Sequence, residues 1–158
     1  MSQLAQLLAP RFTVYHYDRR GRGDSGDSQP YALEREVEDL AALIDAAGGT
    51  AFVFGTSSGA CLALEAAFRL GGKITKLALY EPPYNSDVAV RQAWEDYVRQ
   101  LTGLLAADRR GDAVALFMAL VGMPADQIEG MFHAPMWPLF EAIAPTLAYD
   151  AAAIGKDR

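Results

Sequence analysis

The stretch Thr50-Ala-Phe-Val-Phe-Gly-Thr-Ser-Ser-Gly-Ala60 decides the fold of this chain. Its first half is a continuous apolar run, which is typical of a parallel strand buried on both faces. Its second half fits G-x-S-x-G, a pattern in which a serine lies on a sharp turn between a strand and a helix. We expect a side chain at Gly55 or Gly59 to collide with the backbone across the turn, so both positions require a small residue, and the tight turn forces Ser57 outward, above the sheet.

Strands and helices are predicted to alternate around this stretch. β-Branched and aromatic runs predict strands at 12–18, 50–55 and 74–80. Apolar residues at helical spacing predict helices at 3–9, from Pro30 to the Gly48-Gly49 stop, and at 58–70. This order is typical of an α/β fold, so we expect three parallel strands with flanking helices.

The second half of the sequence carries only helical patterns. They are predicted at 87–107, 111–121, 124–132 and 137–149. We therefore divide the chain into a core region, 1–84, and a helical cap region, 85–158. The aromatic and methionine residues of the second half indicate a cap core, and some of them are alternatively expected to line an apolar substrate pocket.

Composition limits the possible functions. The chain has 158 residues, of which 51% are hydrophobic and 22% charged, with a net charge of -6, so we expect one soluble globular unit. The acidic balance argues against nucleic-acid binding, and no apolar run approaches the roughly 18 residues of a membrane span. The single Cys61 excludes an intrachain disulfide and fits a cytoplasmic location. No metal-ligand cluster or phosphate loop is found, so no cofactor is expected.

Three segments together resemble a known family. Residues 17–25, Tyr-Asp-Arg-Arg-Gly-Arg-Gly-Asp-Ser, are similar to the loop D-x-R-G-x-G-x-S that follows the fourth strand of the α/β-hydrolases. Phe54 to Gly59 resembles the nucleophile elbow of that family, and Leu79-Tyr-Glu-Pro-Pro83 resembles the passage from its sixth strand into the cap. The spacing and order agree with the capped branch, which holds esterases, epoxide hydrolases, haloperoxidase-like enzymes and haloalkane dehalogenases.

The resemblance implies a serine hydrolase acting on a small, mainly apolar ester-like substrate. Ser57 would be the nucleophile, the backbone N–H of Ser58 would stabilise the oxyanion, and Glu81 would orient a histidine. Two alternatives stay open at this point. The elbow would otherwise be a structural turn, and Glu81 would otherwise cap the strand end or pair with the region of Arg19.

The resemblance also predicts that parts of the family pattern are missing. Family members carry three strands before the equivalent of Phe12, the third of which lies between the strands corresponding to 12–18 and 50–55. They also carry two strands after the cap, the last leading to the catalytic histidine. A serine needs such a base, and neither His16 nor His133 occupies the family's position. We therefore expect a truncated hydrolase that is inactive or weakly active on its own.

Two alternative functions remain from the sequence. A non-catalytic remnant or assembly half would need a partner chain that supplies the missing strands, and it would self-associate or associate with that chain. In its absence, strands 12–18 and 50–55 would either close directly on each other or leave exposed edges. The second alternative is a dinucleotide-binding module, because Gly21-Arg-Gly-Asp-Ser-Gly26 spells G-x-G-x-x-G. That fingerprint requires a helix to open within the glycines, whereas Pro30 delays the helix here.

Overall fold

A computed structural model describes residues 2–155. Its sheet has two strands, β1 (Ala51–Thr56) and β2 (Ile74–Tyr80), joined by a helical crossover. The α-helices of the described residues are α1 (Ser2–Leu8), α2 (Leu33–Ala46), α3 (Ser58–Leu70), α4 (Val88–Ala106), α5 (Arg110–Leu120), α6 (Ala125–Met131), α7 (Trp137–Ile143) and α8 (Leu147–Ile154). Two short 3₁₀ turns, Gly71–Lys73 and Ala144–Thr146, follow α3 and α7.

The two strands are parallel and end together. Gly55 is paired with Leu79 and Thr56 with Tyr80, so the residues that follow both strands lie side by side. The Ser57 N–H donates to the Tyr80 carbonyl at 3.0 Å, which extends the pairing by one peptide group. Helix α3 packs against both strands, against α2 and against α8, so it forms the centre of the molecule.

The core lies between α2 and α3. Val37 of α2 packs with Leu62 and Ala66 of α3, and Ala60 and Cys61 are fully buried at the start of α3. Helix α2 begins at Leu33, after an extended Ala32, and not at Pro30 as the sequence predicts. The position of α3 directly behind the turn fixes the end of β1, which is the part of the fold that places Ser57.

The strand predicted at 12–18 is not formed. These residues make no ladder with β1 or β2 in the described chain, so the sheet has two of the three predicted strands. The physical reason is that a strand needs a neighbour for its N–H and C=O groups, and no segment at hydrogen-bonding distance supplies one. The α/β class and the parallel pairing of β1 and β2 are confirmed.

The prediction that β1 is buried on both faces is also wrong. Phe52 is 57% exposed and Phe54 is 40% exposed, although the Phe12 ring meets the Phe52 ring edge to face. The apolar run therefore has the composition of a strand that is buried on both faces, whereas the face of β1 that carries Phe52 and Phe54 is exposed.

The helical half has its own core. Trp137 packs with Val114, Met118 and Ile128, and its ring contacts those of Phe132 and Phe140 edge to face. Most of the aromatic and methionine residues singled out from the sequence thus serve this core. The helix predicted at 137–149 is two helices, because Pro145 lies in the 3₁₀ turn that separates α7 from α8. None of the helices that the structure describes is both long and apolar enough to cross a membrane.

Candidate active site

The turn from β1 to α3 places Ser57 in a strained backbone conformation. Its φ is 53° and its ψ is −127°, a region that non-glycine residues rarely adopt, and the residue is exposed. A Cβ on Gly55 would lie 2.3 Å from the Gly59 carbonyl oxygen and 2.7 Å from the Ala60 Cα, so glycine is required there. A Cβ on Gly59 would meet nothing within 4 Å, so the steric argument is right for Gly55 and wrong for Gly59.

The start of α3 supplies backbone N–H groups beside Ser57. The Ser57 carbonyl accepts from the N–H of Ala60 at 2.8 Å and of Cys61 at 3.3 Å. The N–H groups of Ser58 and Gly59 precede this first helical turn, where an α-helix has no internal acceptors for them. This is the position from which the Ser58 N–H can stabilise a developing negative charge.

Glu81 follows β2 directly and lies beside Ser57, because the preceding residues Thr56 and Tyr80 are paired across the sheet. Its φ of 49° is also in the left-handed region, so the backbone turns sharply at both strand ends. Glu81 is exposed, and across residues 2–155 no hydrogen bond or ion pair holds its carboxylate. It therefore does not pair with Arg19, one of the alternatives left open by the sequence.

The two histidines lie elsewhere. His16 is in the unpaired segment and lines a cavity beside β1 that does not include Ser57 or Glu81. His133 follows α6 and is exposed. The structure gives neither histidine a contact with the turn at Ser57.

A cluster of charged side chains lies behind the turn. Arg19 donates to both carboxylate oxygens of Glu36, at 2.5 and 2.6 Å, and to Asp150 Oδ1 at 2.9 Å. Arg22 donates to Asp150 Oδ2 at 2.6 Å, and the Ser58 hydroxyl donates to Asp150 Oδ1 at 2.7 Å. We call these five side chains the Arg19 cluster. It joins the loop after residue 18 to α2, α3 and α8.

Burial and charge balance each other in this cluster. Burial lowers the pKa of the Arg19 guanidinium, but the hydrogen bonds and charge of Glu36 and the charge of Asp150 outweigh it and raise the pKa above its ordinary value. Tyr31 donates to Glu36 at 2.8 Å, and its pKa is raised by burial first and by the negative charge of Glu36 second. Glu36 itself is 1% exposed. Both carboxylate oxygens of the buried Glu36 thus have hydrogen-bond partners, as a buried polar group requires.

Sequence reasoning missed Asp150 and the Ser58 hydroxyl. The available signal was a single carboxylate in an otherwise apolar helix, Leu-Ala-Tyr-Asp-Ala-Ala-Ala-Ile, since such a charge needs a partner when it is buried. The identity of that partner depends on how α8 packs on α3, which local pattern does not reveal. The hydroxyl of Ser58 is engaged with Asp150, whereas Ser57 is the serine exposed at the turn.

Comparison with known proteins agrees with this geometry. The sequence profile of the alpha/beta hydrolase family matches residues 1–156. The chain belongs to the α/β-hydrolase family. A solved structure of an alpha/beta hydrolase from Sphaerobacter thermophilus DSM 20745 is 57% identical to this hydrolase chain, with a TM-score of 0.83. The match covers 99% of this chain and 61% of that one.

Family membership and the start of α2 decide between a partial α/β-hydrolase fold and a dinucleotide-binding module. The hydrolase chain spans less than two thirds of its solved relative, in agreement with a partial fold. The dinucleotide-binding module does not fit, because α2 begins at Leu33, seven residues after Gly26, and leaves no helix N-terminus among the glycines. Gly23 has a local role instead: its φ is 52°, and a Cβ there would lie 2.0 Å from the Asp18 carboxylate.

Proposed function

We propose that this chain carries the nucleophile and the acid of a serine hydrolase that acts on small, mainly apolar esters. The observation that supports this most is the exposed, strained Ser57 at the end of β1, beside Glu81 at the end of β2. Strain of this kind concentrates at functional sites, where it holds a group in a reactive position. The alternative of a merely structural turn leaves the conformation of Ser57 without a reason.

In the proposed reaction, the Ser57 hydroxyl oxygen attacks the ester carbonyl carbon while a histidine takes the hydroxyl proton. The bond to the alcohol oxygen breaks, the alcohol leaves with that proton, and Ser57 keeps the acyl group. Water, activated by the same base, then releases the acid. The Ser58 N–H stabilises the oxyanion of both steps, and Glu81 orients the histidine.

The histidine is proposed to come from outside the 158 residues, since His16 and His133 have no contact with Ser57. A serine hydroxyl without a base is a poor nucleophile, so the chain alone is expected to be nearly inactive. The region 1–84 would supply the site and 85–158 would cover it. The apolar substrate class rests on the composition of the helical half, and a cytoplasmic location rests on the single Cys61.

Acylation by p-nitrophenyl butyrate, followed by intact-mass and peptide mass spectrometry, tests this proposal. Imidazole is added in one arm as a substitute for the missing base. We expect one butyryl group on Ser57 with imidazole and little without it. Ser57→Ala should abolish the adduct, and the matched control Ser86→Ala, in the exposed loop before α4, should retain it.

Two results would overturn the proposal in different ways. Butyrylation spread over other serines, or absent with imidazole, would remove Ser57 as the nucleophile. Steady turnover without imidazole that disappears in Ser57→Ala would show that the base lies within the 158 residues.

A further inference from the structure

Helix α8 reaches the turn at Ser57 through Asp150. The Ser58 hydroxyl donates to Asp150 Oδ1 at 2.7 Å, although the two residues lie 92 positions apart in the sequence. Helix α8, which carries Asp150, packs against α3, which begins at Ser58. A carboxylate of the helical region 85–158 thus contacts the residue whose N–H is proposed to stabilise the oxyanion.

The proton of the Ser58 hydroxyl has one direction in this arrangement. A hydroxyl has one proton to donate and two lone pairs that accept, whereas a carboxylate accepts and a guanidinium only donates. Arg19 Nη1 donates to the Ser58 oxygen at 3.4 Å. The hydroxyl proton therefore lies between Ser58 and Asp150, and the orientation of the Ser58 side chain is fixed.

The carboxylate of Asp150 is itself held in place. Arg19 donates to its Oδ1 at 2.9 Å and Arg22 donates to its Oδ2 at 2.6 Å, so each oxygen has a charged partner. Such bonds are shorter and stronger than bonds between neutral groups. Beside it in α8, the ring of Tyr149 stacks on the ring of Tyr31 with centroids 4.0 Å apart. The carboxylate is therefore a fixed anchor and not a mobile surface group.

The peptide group between Ser57 and Ser58 carries the proposed oxyanion donor. Its carbonyl accepts from the N–H groups of Ala60 and Cys61. Because a trans peptide is planar, its N–H points the opposite way, out of the first turn of α3. The helix thus holds the carbonyl end of this peptide group, and the hydroxyl bond to Asp150 holds its other end, at the Ser58 Cα.

Strain at Ser57 gives this second hold a purpose. The φ of 53° and ψ of −127° cost free energy, and such a conformation persists only where its surroundings oppose relaxation. Relaxation by rotation about ψ would turn the Ser58 N–H to a new direction. The Tyr80 carbonyl holds the N–H of Ser57 on one side of this bond, and Asp150 holds Ser58 on the other.

We propose that Asp150 is a positioning residue for the oxyanion donor of this chain. By holding the Ser58 hydroxyl, it keeps the Ser58 N–H aimed at the carbonyl oxygen of the substrate. This inference rests on the proposed function, in which Ser57 attacks an ester. It gives α8 a part in building the site, whereas the sequence predicts that the region 85–158 only covers it.

A purely structural role for Asp150 has different consequences. If its carboxylate only ties α8 to Arg19 and Arg22, its loss lowers the free energy of unfolding and affects every reaction of the folded chain equally. A positioning role changes one further quantity, which is the stabilisation of negative charge on the substrate's carbonyl oxygen. Two esters that differ in that atom alone separate the two roles.

The probes are p-nitrophenyl butyrate and its thiono ester, in which sulfur replaces the carbonyl oxygen. Each is added to the folded chain with imidazole, and mass spectrometry follows the acylation of Ser57. The Ser57 oxygen bonds to the carbonyl carbon, p-nitrophenolate leaves, and imidazole takes the hydroxyl proton. Sulfur accepts hydrogen bonds weakly, so the ratio of the oxygen-ester rate to the thiono-ester rate measures how well the oxyanion is stabilised.

Two variants remove the hydrogen bond from opposite sides. Ser58→Ala keeps the N–H and leaves both arginines bonded to Asp150, and Asp150→Ala removes the anchor. We expect the rate ratio to fall about tenfold in each, and no further in the double variant, because the two residues act as a unit. The matched controls Ser86→Ala and Asp126→Ala, both at exposed positions, should keep the ratio of the unaltered chain.

Failure of the positioning role and failure of the proposed function give different results. Acylation of Ser57 with an unchanged ratio in Ser58→Ala overturns the positioning role alone. A double variant whose ratio falls by the product of the two single effects shows that Asp150 does not act through Ser58. Absence of acylation in the unaltered chain removes the proposed function and this inference with it. If Asp150→Ala does not fold, Ser58→Ala decides the question.

Discussion

Residues 12–17 and residues 19–22 are adjacent in sequence and are held in opposite ways. The first segment is rich in strand-forming residues, yet in the described chain no backbone hydrogen bond involves residues 13–17, and Tyr15 is 59% exposed. The second is a loop of arginines and glycines, and Arg19 and Arg22 fix it by charged hydrogen bonds to α2 and α8. Order in this region thus comes from side-chain ion pairs, while local strand preference forms no strand without a neighbour.

The largest effect is expected from loss of Arg19. Arg19→Met leaves the carboxylate of Glu36 buried with Tyr31 as its remaining partner, and we expect a loss of about 3–4 kcal/mol in the free energy of unfolding. Tyr15→Ala in the unpaired segment should change it by less than about 0.5 kcal/mol. Urea unfolding of both variants measures the difference. Equal losses would contradict the contrast between the two segments.

The next largest effect on stability is expected at the turn between β1 and α3. Gly55→Ala places a Cβ against the α3 backbone, which cannot move without displacing the helix, and should cost about 2–3 kcal/mol. Gly59→Ala, which meets open space within a helix, should be neutral or stabilise by up to about 1 kcal/mol. Thermal unfolding compares the two variants. A large loss of stability in Gly59→Ala would show that glycine is required at position 59 as well as at position 55.

A smaller effect is expected at Asp150. Asp150→Asn keeps the shape of the side chain but removes the charge that Arg19, Arg22 and Ser58 contact, for a loss of about 2 kcal/mol. The control Asp126→Asn is at an exposed position of α6 and should change stability by less than about 0.5 kcal/mol. If both variants unfold at the same urea concentration, α8 is not held to the turn through Asp150.

The smallest effect is expected at Tyr31, in the pH dependence of the free energy of unfolding. The pKa of Tyr31 is raised by burial and by Glu36, so the folded state keeps the phenol proton above pH 10, where the unfolded state begins to lose it. This contribution to stability is full below about pH 10 and is lost as the pH rises. By about pH 10.5 the loss should stay under about 1 kcal/mol, because this pH is only about half a unit above the ordinary pKa of tyrosine in the unfolded state. As the pH rises from 8, the urea concentration at the unfolding midpoint should fall less in Tyr31→Phe than in the unaltered chain. An equal fall in both would contradict this contribution of Tyr31.

Local pattern was sufficient where the structure is local. The helix predicted at 58–70 and the strand predicted at 74–80 are confirmed with the same bounds, since Gly71-Gly72 ends the helix and Glu81-Pro82-Pro83 ends the strand. The need for glycine at position 55 follows from the tight turn and is also confirmed. Ser57 and Glu81 follow β1 and β2 at the same end of the sheet, because the two parallel strands end together.

The features that the sequence did not predict correctly depend on contacts between distant parts of the chain. Residues 12–18 have the composition of a strand, but pairing requires a partner strand, which composition cannot supply. Asp150 lies 92 positions from Ser58, so their contact depends on the packing of α8 on α3. The break at Pro145 was the exception, because proline within a helical pattern is itself a local signal that the prediction of 137–149 passed over.

Amide hydrogen exchange of the free chain, followed residue by residue by NMR, tests most directly whether β1 has one paired and one open edge. We expect slow exchange at Val53, Gly55 and Ser57, whose N–H groups point toward β2, and fast exchange at Phe52, Phe54 and Thr56. Uniformly slow exchange along residues 52–57 in a monomer would contradict the account, because it would show that residues 12–17 pair with β1.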